Sequence, residues 1–264
     1  MRFITVNLRA VARLFGVAAL LFGGVLVVAG GFPWLAYARR AALKQAWSRW
    51  LLRALGVVLP DAPAVREQLM GGEARWGLVV ANHVSFLDVF VINAVMPLGF
   101  VAKREVADWP LIGWLTARTD NLFIERGQRR AAHLTQARMA GQLAAGRNLA
   151  LFPEGTTTRG DRVLPFHSAL LESAIVAQVP VICLALAYED ATGAPTARPA
   201  YAGDDSLADC LWRIVSSPAV VARLEVAACL SSADGERRHL AHRAHQCIAR
   251  SLASGNGVAE RKLQ

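Results

Sequence analysis

The sequence predicts an α/β sandwich with a mixed, largely parallel central sheet, preceded by a membrane-associated helical segment. Three observations carry that prediction. From residue 70 onwards, short β-rich runs alternate with longer amphipathic ones, the pattern of strands joined by crossover helices. With 264 residues and 54% apolar composition, the chain can fill one sizeable core and carry a short appendage. Residues 14–35, LFGVAALLFGGVLVVAGGFPWL, hold no charged side chain. A helix of that length, rising about 1.5 Å per residue, reaches across a bilayer core.

Taken in order, the first element leaves two readings open. Gly16, Gly23, Gly24, Gly30 and Gly31, followed by Pro33, allow either a spanning helix or a re-entrant hairpin. A cleaved signal peptide fits less well, because the apolar stretch is too long and no small-x-small site precedes an ordinary polar start. Next, Leu43, Ala46, Trp47, Trp50, Leu51, Ala54, Leu55 and Val58 draw one apolar stripe at helical period, with Lys44, Ser48, Arg49 and Arg53 on the other side. Tryptophans beside arginines suit a bilayer interface, and the alternative is a surface helix packed on its own domain. Pro60-Asp61-Ala62-Pro63 is expected to end that helix and form a hinge, dividing an N-terminal unit, residues 1–59, from a body, residues 60–264.

In the body, strands are expected at residues 77–83, 99–103, 121–126, 148–155, 179–186 and 220–230. Helices are expected near 85–95, 109–117, 128–145, 168–178, 205–216 and 236–253. In open α/β sheets, the loops after strand C-termini gather into the ligand crevice. Three polar stretches stand in such positions: NHVSFLD (82–88), FIERG (123–127) and FPEGTTTRG (152–160).

Charge narrows the partners. A formal net charge of +9 favours anionic company, whether an acidic carrier protein, an anionic bilayer or nucleic acid. Three tyrosines and no aromatic-basic RNA-binding signature place nucleic acid last, and no nucleic-acid partner is expected. Arg39, Arg40, Lys44, Arg49 and Arg53 outnumber Arg2, Arg9 and Arg13, so the positive-inside rule puts the C-terminal body in the cytoplasm, at the inner membrane. Cys183, Cys210, Cys229 and Cys247 lack CxxC spacing and lie in apolar or helical stretches, which predicts reduced, buried thiols.

Each motif has chemistry that its residues permit. Histidine removes protons near neutral pH, and a carboxylate on its other ring nitrogen fixes the tautomer and stabilises the imidazolium. Asp88 can be that carboxylate for His83. On one continuous helix a spacing of five sets two residues about 140° apart, so the pair needs His83 in a loop that bends back. The alternative is a capping histidine and a solvated aspartate. Arg126, just after a strand, can clamp a phosphate or carboxylate, or simply pair with Glu125. In FPEGTTTRG, Pro153 stops a strand, Gly155 permits a tight turn, and Glu154 with the threonines offers acceptors and hydroxyls. His239, His242 and His245 fan over about 120° of the last helix. They read as a basic solvated face with Arg237, Arg238 and Arg243, and no metal site is expected.

Together, and in this order, the motifs resemble those of the glycerolipid acyltransferase family, typified by bacterial 1-acyl-sn-glycerol-3-phosphate acyltransferases. The resemblance runs from about residue 78 to 186. NHVSFLD is similar to the NHxSxxD block, which implies His83 and Asp88 as the catalytic pair. NLFIER resembles the F-I-x-R block, with Arg126 in the place of the substrate-phosphate ligand. LFPEGT resembles the F-P-E-G-T block, giving Glu154, Gly155 and Thr156 substrate-binding places, and VPVICLAL resembles the V-P-[IV] block, giving Pro180 a shaping role. Lys103 falls where such enzymes carry a lysine. Two departures stand out. Asp120 occupies a position that is usually glycine, and Thr157 one that is commonly arginine, with Arg159 a possible substitute. The EGTT form looks closer to members that acylate lyso-ornithine lipids or other lysolipids.

The resemblance implies a catalytic domain over residues 60–264 that moves an acyl group from acyl-CoA or acyl carrier protein to a lysolipid hydroxyl, without a cofactor. The first-choice acceptor is 1-acyl-sn-glycerol-3-phosphate. No GxSxG occurs, so no covalent acyl-enzyme is expected, and Ser85 reads as a turn or capping residue. The rival from another class is a membrane-anchored lipid-binding protein without turnover, which would not need a proton-transfer pair.

Overall fold

The computed structural model describes residues 2–71, 77–125, 129–233 and 235–261. Among them, strands β1 (Val57–Val58), β2 (Leu78–Ala81), β3 (Gly99–Lys103), β4 (Leu122–Ile124), β5 (Leu149–Leu151), β6 (Val181–Asp190) and β7 (Val220–Leu230) form one sheet in the order β1-β7-β6-β2-β5-β3-β4. The β6, β2, β5, β3 and β4 neighbours pair in parallel, whereas β7 runs antiparallel to β6 and carries β1 parallel to itself. The expected mixed, largely parallel sheet is therefore present.

Helices cover both faces, and strand alternation decides which residues meet them. On one face, Val79, Ala81, Ile182 and Leu184 pack with α1 (Arg2–Gly30), α2 (Tyr37–Leu55), α3 (Ala62–Gly71), α4 (Leu87–Val95) and α8 (Leu207–Ser216). On the other, Leu78, Val80, Val181 and Cys183 meet Met139 and Leu143 of α6 (Arg129–Ala144), Ala174 of α7 (Glu172–Ala177), and Leu240, Ala244 and Ile248 of α9 (Arg237–Arg261). All four residues of β2 are buried, which is why the central strands read as unbroken apolar runs. One further short helix, α5 (Ile112–Arg118), lies between β3 and β4.

The N-terminal segment is a helical hairpin. α1 continues unbroken to Gly30, and the chain reverses through a 3-10 turn at Phe32–Trp34 into α2. At Gly24 the backbone approaches the Trp47 indole so closely that an added Cβ would lie 3.0 Å from its Nε1, and that Nε1 donates to the Leu20 carbonyl at 2.9 Å. α1 is also fastened to the body: Arg13 donates to the carbonyls of Ser217 at 2.7 Å, Val215 at 3.0 Å and Pro218 at 3.1 Å, where α8 ends. Cationic donors at a helix C-terminus meet both unpaired carbonyls and the negative end of the dipole. Leu8, Val11, Phe15, Phe22 and Leu26 share the opposite, exposed face, with Phe15 73% and nearby Trp34 86% accessible. α1 is long and apolar enough over Leu8–Gly30 to cross a membrane.

Two expectations about the hairpin change. α2 stops at Gly56, not at Pro60: Gly56 is left-handed with φ +76°, and an added Cβ there would collide with the Arg13 guanidinium. The freed chain then pairs Val57 and Val58 with Val220 and Val221 as the sheet edge, and Pro63 falls in the first turn of α3. The expected boundary after residue 59 thus follows directly on an edge strand, and Ala10, Val17, Leu51, Leu55 and Val57 share one core cluster with the sheet.

Much of the polar flank of α2 faces inward, although Arg53 is exposed. Lys44 Nζ donates to the carbonyls of Leu98 and Thr119, Gln45 Nε2 to Val95 at 2.7 Å and Arg49 Nε to Ala94 at 2.8 Å, while Leu43 and Trp50 are exposed. Gln45 and Arg49 thereby cap carbonyls in the last turn of α4, whereas Lys44 bridges the Leu98 carbonyl, just past that helix, and the Thr119 carbonyl that follows α5. Burial lowers the Lys44 ammonium to about 8, partly countered by Asp120. Because the folded value lies below the ordinary 10.5, the unfolded chain holds more protons between these two values, and stability rises with pH across that window. Relative to Lys44→Met, the wild type is expected to gain up to about 3 kcal/mol from pH 8 to 10.5, read from denaturant midpoints at each pH. A flat difference would refute the buried ammonium.

Of the four cysteines, Cys183 and Cys210 are buried as expected, Cys247 is half-buried, and Cys229 is exposed. The last is a correction: β7 lies near the sheet edge, where an apolar stretch is covered on one side only.

Candidate active site

The loop after β2 is held from both neighbouring strands. Asn82 continues the strand pairing with its side chain, Nδ2 donating to the Leu186 carbonyl at 2.8 Å and Oδ1 accepting the Leu186 amide at 2.9 Å. His83 follows with its main chain clamped: its amide donates to Glu154 Oε1 at 2.7 Å and its carbonyl accepts the Thr158 amide at 2.8 Å. α4 begins only at Leu87, so the chain does turn back between His83 and Asp88 as the five-residue spacing requires. Ser85 sits inside this turn, fully buried, its Oγ accepting the Leu87 amide.

The turn brings His83 Nδ1 to 2.7 Å from Asp88 Oδ2. Oδ2 also accepts the Val84 amide at 2.7 Å and the Ser85 amide at 2.9 Å, and Oδ1 accepts the Tyr188 hydroxyl at 2.7 Å. The Asp88 side chain is 0% exposed and that of His83 21%. With four donors around it the carboxylate is fully satisfied, as a buried charge must be. With Nδ1 donating to Asp88, Nε2 carries the free lone pair of a neutral imidazole. The ring stacks on Phe152 at 3.9 Å between centroids and 6° between planes, which fixes its orientation.

Glu154 is 4% exposed, and both of its oxygens accept main-chain amides: Oε1 from His83 and Oε2 from Leu164, each at 2.7 Å. Burial raises its carboxyl above the usual range, opposed by these two hydrogen bonds. Its geometry is that of a fastener between the His83 loop and the 156–168 loop. Gly155, with φ +70°, donates its amide to the Phe152 carbonyl and makes the turn that a side chain would strain. Thr156 is exposed beside it. Thr157, in the position commonly arginine, donates its hydroxyl to the Tyr201 carbonyl and so pins two loops at the rim. Arg159 is exposed, and Asp205, whose carboxyl is held below its usual range chiefly by the hydrogen bond from Arg213, pairs with that arginine at 3.0 Å.

Lys103 ends β3 in register with Ile124 and is exposed. Arg126, two residues beyond β4, lies outside the described residues. Asp120 takes φ +63°, where glycine would be unstrained, and is met by Arg40 at 3.7 Å. Pro180 immediately precedes β6, its carbonyl accepting the Leu78 amide and its body closing on Gly77. On α9, His245 Nε2 reaches the Val163 carbonyl and His242 meets Gln246, away from this crevice.

Tyr188 and Phe152 join the site although the motif reading did not single them out. Tyr188 had a signal: it continues the alternation of Leu184 and Leu186 onto the face that carries α4.

The described residues thus combine an α/β sheet, a histidine held against a buried aspartate just beyond one of its strands, and a helix with an exposed apolar face. The chain belongs to the acyltransferase family. The family model described as Acyltransferase matches residues 64–187. A lyso-ornithine lipid O-acyltransferase of Pseudomonas aeruginosa is 35% identical over 241 residues, 89% of this chain and 92% of that protein. A 1-acyl-sn-glycerol-3-phosphate acyltransferase of Neisseria meningitidis serogroup B is 42% identical over 162 residues, 61% of this chain and 63% of that protein, so the match spans less than two thirds of that relative. In fold, the chain resembles the crystal structure of the 1-acyl-sn-glycerophosphate (LPA) acyltransferase PlsC from Thermotoga maritima, with a TM-score of 0.68 and 20% identity over 96% of this chain and 97% of that one.

Proposed function

We propose that the protein transfers a fatty acyl group from an acyl thioester, acyl-CoA or acyl carrier protein, to the free hydroxyl of a lysolipid, with 1-acyl-sn-glycerol-3-phosphate as the acceptor and phosphatidic acid as the product. The observation that carries this reading is the 2.7 Å contact of His83 Nδ1 with a fully buried Asp88, which leaves Nε2 as the base. A thioester already has a good leaving group, so the protein must supply deprotonation, alignment and charge stabilisation. His83 Nε2 takes the acceptor hydroxyl proton as the oxygen attacks the thioester carbonyl. Asp88 steadies the imidazolium, and the proton passes to the departing thiolate. Lys103 and Arg126 draw the anionic acceptor to the strand ends. Glu154, Gly155 and Thr156 shape the opposite wall, with Glu154 acting through the loops it fastens.

Both acceptor and product live in the bilayer, and the exposed stripe of Leu8, Phe15, Phe22 and Leu26, continued by Trp34 and Trp50, supports residues 1–59 as the membrane-docking unit. The cationic balance and the flanking arginines support an inner-membrane site with the body in the cytoplasm.

A second acceptor, lyso-ornithine lipid, is favoured by one observation: Thr157 replaces a cation with a hydroxyl committed to Tyr201, which weakens the case for a phosphomonoester. Purified protein in mixed micelles, given labelled acyl-CoA or acyl carrier protein, tests both. The expected result is incorporation into 1-acyl-sn-glycerol-3-phosphate with a kcat/KM above that for lyso-ornithine lipid. The reverse order selects the second reading, and no incorporation from any donor leaves a lipid-binding protein without turnover.

A further inference from the structure

Asp88 divides its four donors unevenly. Oδ2 takes the His83 ring and the Val84 and Ser85 amides, all from the loop that precedes α4, at 2.7, 2.7 and 2.9 Å. Oδ1 takes a single donor, the Tyr188 hydroxyl at 2.7 Å, which arrives from β6, 100 residues further along the chain. A carboxylate turns about its last bond over a broad, shallow torsional profile, so its donors set its angle. Because the carboxylate is planar, donors on either oxygen restrain the same torsion; the three on Oδ2 all belong to the loop being positioned and can shift with it, whereas Tyr188 ties the group to the sheet from outside that loop. In a side chain 0% exposed, water cannot take over a vacated Oδ1.

We propose that Tyr188 is a positioning residue for acyl transfer: its hydroxyl, held against Asp88 Oδ1 from the strand next to β2, sets the angle of the carboxylate that orients His83. The inference rests on the reading of His83 as general base. Two features suit Tyr188 to the task. Its ring is buried at 4% exposure in the same cluster as Leu87 and Val91 of α4, so the phenol is held as firmly as the helix. Burial first, then the charge of Asp88 and the hydrogen bond to it, keep the phenol protonated far above neutral pH, so it is always a donor. The other groups facing this cluster are Glu154, from the loop after β5, and Cys210 on α8, whose thiol burial also keeps neutral and which Arg213 approaches from the same helix. His83 is therefore followed directly, by nuclear magnetic resonance of its imidazole, rather than through activity alone.

Tyr188→Phe removes only the hydroxyl. The expected result is a fall in kcat of about tenfold with both KM values changed less than about twofold, since a misaligned base costs rate rather than binding. The His83 imidazole titration should move to higher pH, because Asp88 no longer shares its charge with the phenol and holds the imidazolium more strongly. Replacing Tyr188 with a fluorinated tyrosine, a stronger donor of nearly the same shape, should move that titration to lower pH. If the phenylalanine protein fails to fold, the fluorinated one decides. An unchanged kcat and titration in Tyr188→Phe, or an unmoved titration in the fluorinated protein, overturns the proposal. His83→Ala measured alongside separates the two readings: if it retains normal turnover the general-base assignment falls, whereas if it is inactive and Tyr188→Phe is unaltered, only the role of Tyr188 falls.

Discussion

His83→Ala is expected to lower kcat for acyl transfer by about 10³-fold, equivalent to about 4 kcal/mol of barrier, while the protein stays folded. The rate falls because no other described side chain holds an imidazole against the buried carboxylate; the fold persists because the imidazole holds little of it together. The loop is clamped through its main chain, by Glu154 on the amide and Thr158 on the carbonyl, and both contacts survive the substitution. Asp88 loses one donor and keeps Val84, Ser85 and Tyr188. Phe152 loses its stacking partner but still neighbours Phe100. Initial rates with labelled donor, set beside a thermal unfolding curve, read both halves. Turnover within a few fold of wild type would remove His83 from the mechanism.

The second large effect belongs to Glu154→Gln, and it should appear in stability and rate together. The glutamate offers one acceptor oxygen to each of two buried amides. Glutamine has one oxygen and one amino group, so one main-chain N–H must face another donor in a site 4% exposed. Leaving such a group unpaired costs about 2 kcal/mol, which in a chain of this size lowers Tm by about 5 °C. The His83 amide is one of the two at risk, so kcat should fall about tenfold, as expected for a slightly displaced base. If Glu154 instead bound substrate directly, the variant would raise the acceptor KM and leave Tm where it was. Differential scanning fluorimetry and Michaelis–Menten curves on the same preparation distinguish the two.

Much of the body was readable in one dimension because its central strands are buried on both faces. LVVA, LAL and VICLAL can be little else than inner strands, and the alternation with amphipathic stretches leaves a largely parallel sheet as the simplest arrangement. The site was readable for a related reason: motifs that follow strand C-termini must converge. What escaped notice involved polar groups doing internal work. Lys44 and Arg49 stood on the side of α2 opposite its apolar stripe, yet Arg49, with Gln45, caps carbonyls in the last turn of α4 and Lys44 reaches those of Leu98 and Thr119; a sequence does not announce that a helix elsewhere needs capping. Glu154 read as an acceptor at the crevice, and its burial depends on two amides from loops 71 and 10 residues away. Asp120 looked like an anomaly until its left-handed backbone and the nearby Arg40 supplied a reason.

By itself the sequence determined which residues can do chemistry here and which stretches must hide from water, because side-chain identity and periodicity are local properties. Only the tertiary structure decided the partners: that the Asp88 carboxylate is gripped from the far strand by Tyr188, that Phe152 lies flat on the imidazole, and that Arg13 fastens the apolar helix to the end of α8. Those contacts join residues as many as 205 positions apart. Hydrogen bonds and ring stacking depend on distances of a few ångströms in space, for which separation along the chain is no guide.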